Sequence, residues 1–394
     1  MTISFKVGTA KSTITPAAEM GPVYRAGYKM GEAERLANVV DNLFLRCLTI
    51  EKGATRVIFL SLDLIGLFRD FTDALAERLA AHGVPRESLL VATTHTHSGP
   101  DTMGLWGPSL GQSGYNERYG EFLLKESERA IVHALHSAVS AEPFFAYEER
   151  NLGVANYREP YDMSLGLWSL SFRSADETIG TLVSYTAQPE LTPRHDDSIS
   201  GDYPGETCRV LEERLGTPVL FLLGACGGME PEGCEKGYAE AHTYGKKLAE
   251  ALANLHLKAR PVEGETLSIS ATEVKLPVEN PGFAMMMEAG VIRRSHEPPN
   301  VRTTISKVQI GEITLFALPG ETFPGIIKGI GPQGRTLFIN QVNDSLGYLI
   351  PPEQFRSEPT EWAEGHHFTG HELESLGQEA GAIIRQELIR LAKL

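Results

Sequence analysis

Short, nearly all-apolar runs alternate along this chain with stretches in which apolar residues recur every three or four positions. Residues 56–62 form a run of the first kind, the pattern of a strand buried on both faces. Residues 70–82 follow with Phe71, Ala74, Leu75 and Leu79 at helical spacing. His82 and Gly83 close that stretch, a cation for the negative end of a helix and a glycine for its cap. Residues 89–92 predict a second strand and 116–140 a long amphipathic helix. The alternation then returns twice. Strands at 180–186 and 217–223 come with helices at 204–215 and 236–255; strands at 313–318 and 335–340 come with helices at 322–331 and 372–393. Segments 264–276 and 302–310 alternate apolar and polar residues, as antiparallel strands with one solvated face do. The pattern predicts an α/β fold of mixed sheets layered with helices. No internal repeat, low-complexity tract or linker interrupts it, so residues 1–394 are expected to form one unit.

Composition narrows the function. The chain has 394 residues, 42% of them hydrophobic, which is ample for a large core. Its formal charge of −15 repels phosphate backbones, and no basic run offsets it, so no nucleic-acid partner is expected. The four cysteines, Cys47, Cys208, Cys226 and Cys234, are too few for a disulfide framework and match no common zinc spacing. They are expected as free thiols. The N-terminus lacks the basic start and apolar run of a signal peptide, and no stretch reaches the ~20 apolar residues of a membrane span. A cytoplasmic protein acting on a small-molecule or lipid-like substrate is the expectation.

In α/β sheets ligands gather beyond the carboxyl ends of strands, and here those segments are chemically loaded. After Ala92 come His95 and His97, whose spacing at a strand end puts both rings on one face, where they suit a shared metal or stand as solvated loop histidines. After 180–186 come Gln188 and Glu190, and after Leu223 the pair Gly227 and Gly228, which either turns toward an oxyanion or is a plain turn. Glu321 follows Pro319 and Gly320; its simplest role is a carboxylate at a helix N-terminus. Segment 282–288, Gly-Phe-Ala-Met-Met-Met-Glu, is either a soft lining for an acyl chain or a core stripe.

Taken in order, these segments carry a family resemblance. Val7-Gly8-Thr9-Ala10-Lys11-Ser12-Thr13-Ile14-Thr15-Pro16, the stretches at 40–46 and 61–64, Thr94-His95-Thr96-His97-Ser98-Gly99-Pro100, Asn156-Tyr157-Arg158, the stretch at 200–205, Leu318-Pro319-Gly320-Glu321 and Asn343-Asp344-Ser345-Leu346-Gly347-Tyr348 resemble the landmarks of the neutral/alkaline non-lysosomal ceramidases. The resemblance spans nearly the whole chain and implies their N-terminal catalytic domain, without the immunoglobulin-like domain that follows it. It implies an amide-type C–N hydrolase using zinc held by His95, Glu321 and Tyr348, with His97 orienting substrate or an oxyanion and Arg158 contacting substrate. A metal-bound water would attack, His97 or Tyr348 would stabilise the oxyanion, and Glu230 or Glu321 would move the proton.

The sequence also departs from that family. A further histidine ligand is replaced by Gln188, the nucleophile position is Glu230, the first of two tyrosine positions is Ser345, and a late landmark becomes Glu364-Gly365-His366-His367. Three outcomes follow from the resemblance. The metal is lost and the chain is a binding protein; or His195, His366 or His367 replaces the missing ligand; or a harder metal sits among Glu321, Gln188 and Asp202. A hydrolase of polar esters or sugar derivatives on the same scaffold is a further alternative.

Overall fold

The computed structural model describes residues 5–175, 177–292, 294–295, 297–358 and 369–394. The main sheet is built from β1 (Phe5–Thr13), β2 (Phe44–Lys52), β3 (Thr55–Leu62), β4 (Leu89–Thr93), β5 (Val139–Glu149), β6 (Gly166–Ser174), β7 (Glu177–Tyr185) and β8 (Val219–Leu223). Its order is β8-β7-β6-β5-β1-β2-β3-β4. The two outermost pairs, β3 with β4 and β7 with β8, are parallel; the pairs between them are antiparallel. The sheet curls so far that Ser61, beside one edge, donates its hydroxyl to the Phe221 carbonyl in the other edge strand at 2.7 Å.

A second sheet holds β9 (Leu267–Pro277), β10 (Asn300–Ile310), β11 (Ile313–Ala317) and β12 (Thr336–Ile339), with β11 and β12 parallel. Three units of one form emerge: a hairpin followed by a crossover to a parallel third strand. They are β2-β3-β4, β6-β7-β8 and β10-β11-β12. The strand–helix alternation in the sequence marks these crossovers, although no residue-level repeat accompanies them.

Helices α1 (Arg69–Leu79), α2 (Glu117–His136), α3 (Asp202–Leu215), α4 (Tyr238–His256), α5 (Pro281–Glu288), α6 (Pro324–Ile327) and α7 (Gln378–Ala392) cover the sheets. Leu123, Ile131 and Ala134 of α2 pack with β2, β3 and β4, while Leu211 of α3 and Leu248 and Leu252 of α4 pack with β7 and β8. Between the two sheets lies a shared apolar core including Phe5, Phe59, Leu170, Leu220, Val308, Leu315 and Leu337. Burying such side chains stabilises each by roughly 1.5–3 kcal/mol.

The mixed-sheet α/β expectation holds. Three boundaries differ; one is the closing helix, expected from 372, which starts at Gln378. The long helix ends at His136, because Val139 begins β5, and the helix expected at 322–331 shrinks to the single turn of α6. Gly325, Gly329, Gly331 and Pro332 leave no run of helix formers beyond it. The four cysteines are free thiols, as expected. Among the described residues no helix is long and apolar enough to cross a membrane.

Candidate functional site

The segments that leave the carboxyl ends of the three units meet in one place. Unit one supplies His95 and His97 after β4, unit two supplies Gln188 and Glu190 after β7, and unit three supplies Glu321 after β11 and Gln341 to Tyr348 after β12. Backbone hydrogen bonds stitch the segments together. His95 N donates to Leu64 O at 2.8 Å, Thr93 N to Gln341 O at 3.2 Å, and Gln188 N to Met229 O at 2.8 Å. Asn343 acts as an extra strand neighbour for β4: its side chain accepts from Val91 N at 2.8 Å and donates to Leu89 O at 2.9 Å.

His95 and His97 do share a site, though not by strand alternation. The strand stops at Thr93, and His95 has φ +69°, in the left-handed region. That kink turns the two rings edge to face, 4.9 Å apart, with their Nε2 atoms 3.4 Å from each other. The His95 Nδ1 lies 2.6 Å from the Ile65 carbonyl, which only accepts, so Nδ1 carries a proton and Nε2 faces the site. Buried Arg25 fixes the next residues, donating to the His97 carbonyl at 2.7 Å and to Ser98 Oγ at 2.8 Å. Gly27 packs against the His97 ring with φ +109°; a Cβ there would lie 2.5 Å from Nδ1.

Glu321 does not start a helix. With Thr322 it forms a two-residue strand paired in parallel with Tyr348 and Leu349, and the register sets Glu321 beside Tyr348. Gly320 permits this, since a Cβ would meet the Gly347 carbonyl oxygen at 2.6 Å. Glu321 Oε2 is 3.3 Å from His95 Nε2 and accepts from the Gln188 amide at 2.6 Å; that same amide nitrogen lies 3.4 Å from the Tyr348 hydroxyl. On the far side of His97, Glu190 Oε1 stands 3.5 Å from His97 Nε2. The polar atoms thus form an open run: Glu190, His97, His95, Glu321, Gln188, Tyr348.

Their environments push the ionisable groups apart. Burial opposes a charge on His95, but the adjacent Glu321 carboxylate outweighs it and raises the imidazole above its ordinary value. Burial, followed by the charge of His95, holds His97 well below the ordinary histidine range. Burial raises Glu190 to about 8, with Glu230 the next cause. Glu321 resists burial through His95, Gln188 and Tyr348 and stays below the usual carboxylate range. Neighbouring groups are thus pushed in opposite directions within a few ångströms of each other.

Above the run opens a cavity of about 250 Å³. Met103, Leu105, Trp106, Phe283, Met286 and Leu373 wall it, with His95, His97, Glu321 and Tyr348 at its base. Segment 282–288 therefore divides its work: Phe283 and Met286 face the cavity, while Met287 is in the core.

Other expected residues lie elsewhere. Arg158 is buried, but its terminal nitrogens are committed to Glu372, the Thr369 carbonyl and the Gln354 carbonyl, so it braces the fold under Phe323 in place of contacting substrate. Glu230 pairs through its backbone with Ala155, and its charge is the second cause of the raised Glu190 pKa. His195 is half exposed and faces Glu34 at 3.5 Å. Asp202 accepts from Leu191 N at 3.0 Å and Thr192 N at 3.1 Å, so it holds the loop after Glu190 and is no partner for Glu321. Gly227 N donates to Thr322 O at 3.1 Å, so that amide is committed to the backbone of the Glu321 strand. His366 and His367 lie outside the described residues. Sequence reasoning assigned no role to Glu190, Gln341 or Leu373, although the first two stand in segments it singled out after strands.

Zinc, the ion implied by the resemblance, finds an incomplete set of donors. His95 Nε2 and Glu321 Oε2 present lone pairs; the Tyr348 hydroxyl, the third donor the resemblance implies, has its pKa pushed well up by burial, and the Gln188 amide nitrogen, which has no lone pair to give, stands 2.6 Å from Glu321 and 3.4 Å from that hydroxyl. Among the described residues no three His, Cys, Asp or Glu side chains gather to hold an ion.

No family model and no curated protein matches the sequence. Solved structures do. Neutral ceramidase from Pseudomonas aeruginosa aligns with a TM-score of 0.73 at 16% identity, over 100% of this chain and 75% of that one. A ceramidase complexed with C2 aligns with a TM-score of 0.76 at 16% identity, over 99% of this chain and 76% of that one. What this chain shares with neutral ceramidase at that identity is the fold, and it shares it over its whole length.

Proposed function

We propose that the chain is a ceramidase-like hydrolase that cleaves the amide bond of an N-acyl compound, with the acyl group in the apolar cavity. The observation that carries this reading is a pair of histidines with opposed pKa shifts at the base of an apolar cavity, with Glu190 3.5 Å from His97 behind them, in a chain with a ceramidase fold.

The chain's own groups supply a balanced route. His97, held neutral, takes a proton from water as the water oxygen bonds to the carbonyl carbon. The Nε2 of His95 and the hydroxyl of Tyr348 face the site and stabilise the oxyanion; a protonated His95 donates there. Glu190, neutral below about pH 8, gives its proton to the leaving nitrogen as the C–N bond breaks. His97 and Glu190, 3.5 Å apart, then return to their starting states by passing the proton from one to the other. In this route Glu190 takes the acid role first expected of Glu230.

The test is release of amine from a series of N-acyl amides of graded acyl length by the purified protein. Turnover that rises with acyl length and is lost in His97→Gln supports the reading. Tight binding of the same compounds without release would instead make the chain a binding protein.

A further inference from the structure

Gln188 occupies the point where the charge of a buried carboxylate has to be met. It is almost fully buried, and its backbone is fixed by the hydrogen bond from its N to Met229 O. Its amide nitrogen donates to Glu321 Oε2 at 2.6 Å and reaches the Tyr348 hydroxyl at 3.4 Å, while its Oε1 is buried without a partner. The amide orientation follows from Glu321. Flipped, it would set oxygen against oxygen at 2.6 Å, so the donor must face the carboxylate. A buried carboxylate is stabilised by a cation or by hydrogen-bond donors. Here Gln188 supplies a donor at the position where a cation would need a lone pair.

We propose that Gln188 is the positioning residue that holds Glu321 against His95 in place of a metal ion. The cluster is then assembled without zinc and lies one side chain from a zinc site. With an imidazole at position 188, His95, Glu321 and that imidazole would present three lone pairs to one point, the protein ligand count of a catalytic zinc site. The proposal concerns assembly of the cluster and is separable from the hydrolase reading. A chain that cleaves N-acyl amides yet holds zinc fails only this inference, and one that does neither fails only the other.

The experiment is metal analysis and zinc titration by calorimetry on wild type and Gln188→His, with cobalt(II) absorption as a second readout. Wild type is expected to keep no stoichiometric metal after dialysis and to bind zinc no tighter than roughly 100 µM. Gln188→His should bind one equivalent about 100-fold tighter and give the intense visible bands of tetrahedral cobalt. If Gln188→His fails to fold by circular dichroism, the near-isosteric Gln188→Glu replaces the amide NH2 with a ligating oxygen and should raise affinity in the same way. One retained equivalent of zinc in wild type, or folded variants that bind zinc no better than wild type, would overturn the proposal.

Discussion

The base of the cavity and its wall are built on different principles. The polar groups at the base leave the carboxyl ends of sheet strands and are anchored there: His95 by Leu64 and Ile65, His97 by Arg25, Gln188 by Met229, Glu321 by the strand pairing with Tyr348. The wall comes from loops and the short α5, and it is rich in Met, Phe, Leu and Trp, which adapt to what they touch. Rigid sheet ends suit chemistry, which tolerates little misplacement; soft loops suit an acyl group of variable shape. The base should therefore govern rate and the wall preference.

Four substitutions test that division, from the largest expected effect to the smallest. His97→Gln removes the neutral imidazole and should lower kcat by about 10³-fold across all acyl lengths, measured on protein with unchanged circular dichroism. A rise in KM with kcat unchanged would place His97 in the wall's role. Glu190→Gln should cost about 10²-fold in kcat and also change the pH profile. Glu190 works in its protonated form, so wild-type activity should decline as pH rises past about 8, and this alkaline limb should vanish in the variant. A limb that persists unchanged would assign it to another group. Gly27→Ala sets a Cβ against the His97 ring at a backbone angle that suits glycine. It should destabilise the fold by about 1–3 kcal/mol in denaturant melts and lower kcat with little change in acyl preference. Phe283→Ala should leave kcat on short acyl groups intact and raise KM about 10-fold on long ones, the equivalent of roughly two buried methylenes. Equal effects on acetyl and long-chain substrates would erase the distinction between base and wall.

Much of the base was readable in the chain because its residues directly follow short apolar runs, and strand ends are where α/β sheets place ligands. His95, Gln188, Glu321 and Tyr348 all stand in such segments and do converge. Glu190 stood two residues past Gln188 with no mark to separate it from a solvated carboxylate; only its burial and its distance from His97 set it apart. Arg158 looked as polar and as well placed as the rest. Its fate depended on Glu372, over two hundred residues away in sequence, which no local pattern announces. The half-exposed His195 is a similar case: its contact with Glu34, far away in sequence, is visible only in the fold.

The sequence by itself determined the element order, the three strand–crossover rhythms and the net negative charge. Those follow from local periodicity and summed charge. Tertiary structure alone decided three further things. It closed the sheet until its edges met, it bent His95 into the left-handed region so that two histidines share one point, and it turned the Gln188 amide toward Glu321. Each of these depends on groups distant in sequence whose free energy of contact exists only once the chain is packed, and periodicity carries no record of them.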